Sequence, residues 1–233
     1  SFGICLCDGD VNYDRVTECI RETVLQCGRK PEEVRWIAVS KGQSLKTLQE
    51  AYQKGCREFG ENRALEMVVK KPLLPADCHW HFIGHLQKNK ASKVLGSALI
   101  HSVDSVALAE KLQQQSAREG LITPILLQMN LLQEPTKQGF SLDLAEESRE
   151  RLFSFSHLRI EGLMTIAPFV IDTRLVRRCF KETADLLKRW QKLPQVPDSF
   201  RELSMGMSQD FQIAIEEGAT WLRIGSLLFS PRK

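Results

Sequence analysis

Two stretches of this sequence carry residue types suited to chemistry: Lys41 with its surroundings, and Ser204-Met205-Gly206-Met207-Ser208-Gln209-Asp210. Lys41 ends the run Trp36-Ile37-Ala38-Val39-Ser40 and precedes Gly42. That run is β-branched, aromatic or small, and too short for a typical helix, so it reads as a strand with an amine at its C-terminal mouth. Such an amine is either a solvated flank or a nucleophile able to form a Schiff base with a carbonyl. In the second stretch Gly206 permits close backbone approach, and Ser208 stands where a helix N-cap would. Free N–H groups and two hydroxyls would then converge on one point, which suits a phosphate. Helix capping alone is the other reading of Ser208.

Eight short apolar runs position these groups. They cover about 34–39, 56–60, 79–84, 98–103, 124–130, 158–164, 202–205 and 220–225, and most are followed by a helical pattern. One further helix, 12–27, leads the chain and stops at Gly28, a residue suited to the position after a helix. The 87–93 segment reads as a polar helix, and the last helix is expected from near Ser208 to Gly218. The alternation predicts an α/β fold, a single (β/α)8 TIM barrel with an extra N-terminal helix. No Gly-x-Gly-x-x-Gly turn follows the first strand, which argues against a dinucleotide-binding open sheet. In such a barrel chemistry sits at the C-terminal strand ends. Here those ends carry Lys41, Asn62, His85, Asp104, Asn130, Met164, Ser204 and Arg223.

Composition narrows the classes. Hydrophobic residues make up 42% and charged residues 26% of 233, as in ordinary globular enzymes. Net charge is +3, too balanced to argue for nucleic acid or an anionic membrane surface. No apolar run reaches the roughly 20 residues of a membrane span, and the first residues lack a secretory pattern. Seven irregularly spaced cysteines read as reduced thiols in a cytoplasmic setting. Residues 1–10, with Cys5 and Cys7, read as a flexible tail before a domain spanning 11–233. His79 and His81 share a strand face, but with no third ligand nearby they are assigned to packing rather than metal.

A lysine at one strand end and a phosphate site across the mouth suggest a Schiff base to pyridoxal 5'-phosphate, PLP, anchored by its phosphate. A phospho-sugar or aldolase-like barrel using Lys41 without a cofactor is the alternative. Six blocks sharpen the choice. They are Ala38-Val39-Ser40-Lys41; Phe59-Gly60-Glu61-Asn62; Trp80 to Lys90, reading WHFIGHLQKNK; Gly162-Leu163-Met164; Leu203 to Phe211, reading LSMGMSQDF; and Arg223-Ile224-Gly225. In this order and spacing, from about residue 12 onward, the chain resembles the pyridoxal phosphate homeostasis proteins.

The resemblance implies a fold type III barrel like the alanine racemase N-terminal domain, without that enzyme's second domain. It implies a Schiff base on Lys41, with Asn62 and Met164 flanking the ring. Ser204, Met205, Gly206, Met207 and Gly225 would hold the phosphate, and Arg223 would face the pyridine nitrogen. A guanidinium has donors only, so that nitrogen would stay unprotonated and the ring would be a weak electron sink. A racemase of the alanine type also needs a tyrosine opposite the lysine. The two tyrosines, Tyr13 and Tyr52, fall in expected outer helices. The expected function is therefore a cytoplasmic, monomeric PLP carrier in vitamin B6 homeostasis. It would hold the cofactor and release it, with PLP-dependent enzymes as candidate acceptors, with little turnover and no assigned catalytic residue. A PLP-dependent amino-acid racemase is the alternative, with His85 or Asp104 as candidate bases. Lys137, or Lys88, Lys90 and Lys93, are candidates for a second PLP or for attracting an acceptor. Three positions depart from the family pattern: Gly42 for threonine, Arg63 for an aromatic, and Phe229-Ser230-Pro231-Arg232 for Phe-Gly-x-Arg.

Overall fold

The computed structural model describes residues 11–229; the expected tail at 1–10, Cys5, Cys7 and Ser230-Pro231-Arg232 lie outside the described residues. Short β-branched and aromatic runs form eight parallel strands that close in chain order: β1 (Arg35–Val39), β2 (Glu58–Glu61), β3 (His79–Phe82), β4 (Leu99–Val103), β5 (Thr123–Met129), β6 (Leu158–Thr165), β7 (Glu202–Met207) and β8 (Trp221–Ile224). Pairing of β1 with β8, Ala38 opposite Ile224, completes the ring. The expected barrel is the fold observed.

The leading helix α1 (Tyr13–Gln26) precedes the barrel. The outer helices are α2 (Leu45–Gln53), α3 (Ala64–Lys70), α4 (Val106–Arg118), α5 (Leu142–Phe153), α6 (Thr173–Trp190) and α7 (Phe211–Glu216). Ser44, Ser105 and Ser141 cap α2, α4 and α5, each accepting a backbone N–H three residues on. The helix expected at 87–93 is instead a tight 3-10 segment, Lys88–Val94. Ala91 and Val94, three apart, are buried while Ser92 and Lys93 between them stay exposed, which fits three residues per turn.

Alternation along the strands divides the interior in two. A continuous outer core, including Phe59, Trp80, Phe82, Phe180, Trp190 and Phe200, lies between strands and helices. Each such side chain contributes about 2–3 kcal/mol by leaving water. A smaller inner cluster of Ile37, Ile83, Leu99, Leu126, Met164 and Trp221 fills the barrel itself, with Val39 and Ile166 against it. The rest of the lumen is polar, which a stability-only barrel does not require. Cys19, Cys27, Cys56, Cys78 and Cys179 are free thiols, and burial pushes that of Cys56 up to about 12. Among the described residues no helix is long and apolar enough to cross a membrane.

Candidate functional site

Lys41 begins the turn after β1, exposed at the C-terminal end of the barrel. Gln43 N–H donates to Ser40 O (3.1 Å), and Gly42 takes φ +70°, a left-handed conformation that favours glycine. A buried clamp fixes the turn from behind. Ser40 Oγ lies 2.7 Å from Glu61 Oε1 and donates to Gly60 O at 2.9 Å. Lys70 Nζ reaches Glu61 Oε1 (2.5 Å) and Ser40 O (2.9 Å). Glu61 is fully buried, so Lys70 supplies the compensating charge that a buried carboxylate requires. Sequence reasoning had not assigned Glu61, Lys70 or Ser40 a role; Glu61 and Ser40 flank Asn62 and Lys41, and that adjacency was the available signal.

Asn62 follows β2, and its Oδ1 is buried with no hydrogen-bond partner. Gly84 lets this segment sit close: a Cβ there would lie 2.0 Å from Asn62 O. Met164, wholly buried on β6, belongs to the inner apolar cluster with Ile37 and Ile83. Arg223 is buried on β8; its Nη1 donates to Ser204 Oγ (2.8 Å) and its Nη2 to Thr165 O (3.0 Å). Burial lowers the guanidinium to about 10, with Asp210 acting to raise it, so it remains charged at neutral pH.

The loop after β7 differs from the sequence expectation in three ways. The strand runs on to Met207, with a register shift between Ser204 and Met207. Gly206, φ +97°, lies in that bulge, and its missing side chain makes room for α7, since a Cβ would stand 2.5 Å from Ala214 Cβ. Ser204, ahead of that shift and between the outward-facing Leu203 and Met205, points into the lumen, where Arg223 and His101 engage its hydroxyl. Met205 packs its side chain into the outer core, and Met207 N–H donates to Asp210 Oδ1 (2.6 Å). Burial raises the Asp210 carboxyl although that N–H acts to lower it. Ser208 is not the helix cap, because α7 starts at Phe211 with Asp210 before it. Its hydroxyl instead accepts from Gly225 N–H (3.3 Å) and Leu227 N–H (3.2 Å). Two amides of the turn after β8 thus converge on one point beside Val39, whose Cβ is 3.5 Å from where a Gly225 side chain would begin.

The remaining candidates occupy the rim or the lumen. His85 Nδ1 lies 3.2 Å from Asp104 Oδ2 in an open cleft of about 450 Å³ that also touches Lys88 and Lys137. Lys137 donates to Glu134 Oε1 (2.7 Å) and Ile166 O (3.2 Å). Asn130 braces that loop by bonding Glu134 and Lys137 backbone atoms. Both tyrosines lie away from the mouth: Tyr13 donates to Gly55 O and Tyr52 to Asp77. His79 and His81 both close on Glu58, and among the described residues no acidic, histidine or cysteine cluster is arranged for a metal.

Lys41, Asn62 and the Gly225 and Leu227 amides thus follow β1, β2 and β8 at the C-terminal end of the barrel, with Arg223 on β8 and Met164 on β6 buried within it. The comparisons bear on the family and the fold. Residues 14–233 match the family model described as "Alanine racemase, N-terminal domain". The chain is 36% identical over 221 residues to a pyridoxal phosphate homeostasis protein of Aquifex aeolicus, covering 94% of this chain and 96% of that one. The Escherichia coli K12 protein of the same name is 34% identical over 230 residues, covering 95% of each. Among solved structures, PipY of Synechococcus elongatus PCC7942 with PLP bound superposes with a TM-score of 0.80 at 37% identity, over 91% of this chain and all of that one. The alanine racemase of Bartonella henselae, 17% identical with a TM-score of 0.67 over 96% of this chain and 60% of that one, shares the fold. By that match over nearly the whole length of its relatives, the chain belongs to the pyridoxal phosphate homeostasis protein family.

Proposed function

We propose that this protein binds PLP at the barrel mouth as a Schiff base on Lys41 and releases it to acceptors, as an intracellular carrier with little or no turnover. The observation that carries the reading is the convergence of an exposed lysine, an orphaned buried Asn62 Oδ1, a buried charged Arg223 and the paired Gly225 and Leu227 amides. These residues fit the cofactor. The amine suits its aldehyde, and the amides with the Ser208 hydroxyl suit its phosphate. Asn62 and Met164 suit the two faces of its ring, and Arg223 suits the pyridine nitrogen. When bound, PLP would supply an electrophilic carbonyl and a conjugated ring able to take up electrons.

The chain's own residues explain why such a site would store rather than react. Arg223 presents donors only and stays protonated at neutral pH, so it leaves a facing nitrogen without a proton. The Lys70–Glu61–Ser40 clamp holds the Lys41 turn, and Gly84 seats Asn62. Ser204 serves Arg223 in this reading, and the phosphate hydroxyl is that of Ser208. Met205, Gly206 and Met207 contribute the bulge that sets the loop. Neither tyrosine stands near Lys41 to act as a second base. The relatives matched over most of their own length are pyridoxal phosphate homeostasis proteins, which supports a role in handling PLP.

The His85–Asp104 pair is the one feature that favours the racemase alternative. Titrating the purified protein with PLP, offering it a PLP-free acceptor enzyme, and assaying racemisation separates the readings. The carrier reading expects saturable binding, transfer and no robust racemisation; robust racemisation refutes it. Binding abolished by Lys137→Ala and retained by Lys41→Ala would move the cofactor to the rim cleft.

A further inference from the structure

The lumen holds one connected line of side-chain hydrogen bonds that the proposed site does not account for. It begins at the N-terminal face of the barrel, where Glu58 opens β2 and accepts from both His79 Nδ1 (2.8 Å) and His81 Nε2 (2.7 Å). His81 Nδ1 lies 2.9 Å from His101 Nε2. His101 Nδ1 lies 2.7 Å from Ser204 Oγ, joining β4 to β7 across the lumen. Ser204 Oγ accepts from Arg223 Nη1 at 2.8 Å. The line thus runs from the solvent-facing end, where the His79 side chain is 59% exposed, to the cation at the mouth.

Donor and acceptor counting gives this line a single direction. Burial keeps both imidazoles neutral: that of His101 is pushed well below its usual value and that of His81 lowered, although Glu58 acts to raise it. A neutral imidazole has one donor and one acceptor. Burial works to raise the Glu58 carboxyl, but the bonds from His81 and His79 outweigh it and hold it below the usual range. Glu58 is therefore an acceptor only, and His81 must place its proton on Nε2. His81 Nδ1 is then an acceptor, so His101 must also carry its proton on Nε2. His101 Nδ1 in turn accepts, and the Ser204 hydroxyl must donate to it. That leaves the Ser204 lone pair for Arg223. Reversing the line would set a His81 lone pair against a carboxylate at 2.7 Å and leave a buried hydroxyl proton without an acceptor, each costly in a dry interior.

We propose that Glu58, His81 and His101 are positioning residues that set Arg223 from the opposite face of the barrel. Glu58 fixes the tautomers of both imidazoles and thereby the Ser204 lone pair that holds the guanidinium. The inference that this alters bound PLP rests on the function proposed above; the tautomer claim stands on the protein alone.

The test has two readouts. Long-range proton–nitrogen correlation spectra of 15N-histidine-labelled, ligand-free protein report the tautomers, with signals assigned from His81→Gln and His101→Gln. Both imidazoles are expected neutral and Nε2-protonated at pH 7.5. Glu58→Gln replaces an acceptor with a group that can also donate, so both imidazoles should become tautomer mixtures. With PLP loaded, the same variant should shift the visible absorbance band and release PLP about three- to tenfold faster, the range expected for one weakened hydrogen bond. His79→Gln alters only the exposed partner of the same carboxylate and should leave both readouts unchanged. An Nδ1-protonated or mixed population in the unmodified protein overturns the proposal, and that result needs no variant to fold. Unchanged tautomers and release rate in Glu58→Gln overturn it as well. A protein that takes up no PLP defeats the function proposed above, while the spectra still decide the relay.

Discussion

Acid should loosen this fold through its two buried imidazoles, and the effect can be sized. His81 and His101 have folded-state pKa values below those of the unfolded chain, through burial first. As pH falls past about 6.5, the unfolded chain takes up protons that the folded chain refuses, so stability is complete above that value and declines below it. An imidazole that stays neutral throughout removes about 1.2 kcal/mol between pH 7 and 5.5, so the pair removes at most about 2.5 kcal/mol. Asp210, raised by burial, acts in the opposite sense, but equally in a protein differing only at His101. Urea denaturation of the unmodified protein and His101→Asn at pH 7.0, 6.2 and 5.5 isolates the term. The variant should start less stable and lose at most about half as much over the interval. A flat profile in the unmodified protein, or equal losses in both, would refute the account of neutral buried histidines.

Other perturbations probe the mouth. Lys70→Met should strand the buried Glu61 carboxylate, costing about 3 kcal/mol in a denaturant titration and weakening PLP binding through the Lys41 turn. Gly84→Ala would set a methyl group 2.0 Å from Asn62 O, so Asn62 must move; PLP affinity should fall about tenfold or more in an absorbance titration. Ser208→Ala should lower PLP affinity about tenfold with the far-ultraviolet spectrum unchanged, and phosphate-free pyridoxal should be less affected.

The barrel was legible because its signals are local. Trp36 to Val39 and Trp221 to Ile224 are β-rich runs of four, and Gly28, Gly55 and Gly218 stop the patterns between strands. Lys41, Asn62 and Arg223 could be placed at one mouth because parallel strands present their C-terminal ends together. The loop after β7 was read less well, because strand β7 continues two residues beyond Met205 through a bulge. The bulge follows the lumen-facing Ser204 and precedes Ser208, whose hydroxyl meets the Gly225 amide. A one-residue change of parity reverses which face a side chain takes, and the sequence carries no clear mark of it beyond Gly206. The Glu58-to-Arg223 line was not legible at all. It joins five residues scattered over 165 positions, and only closure of the barrel brings His101 against Ser204. The clamp at Glu61 was hidden for a similar reason: Lys70 lies on α3, and its reach back to Ser40 depends on how that helix packs.

The most direct test of the central claim is to add PLP to the purified protein, reduce with borohydride, and map the modified peptide by mass. The account predicts a visible absorbance band that reduction abolishes, leaving one pyridoxyl group on Lys41. A pyridoxyl group confined to another lysine, or no band and no adduct at saturating PLP, would contradict it.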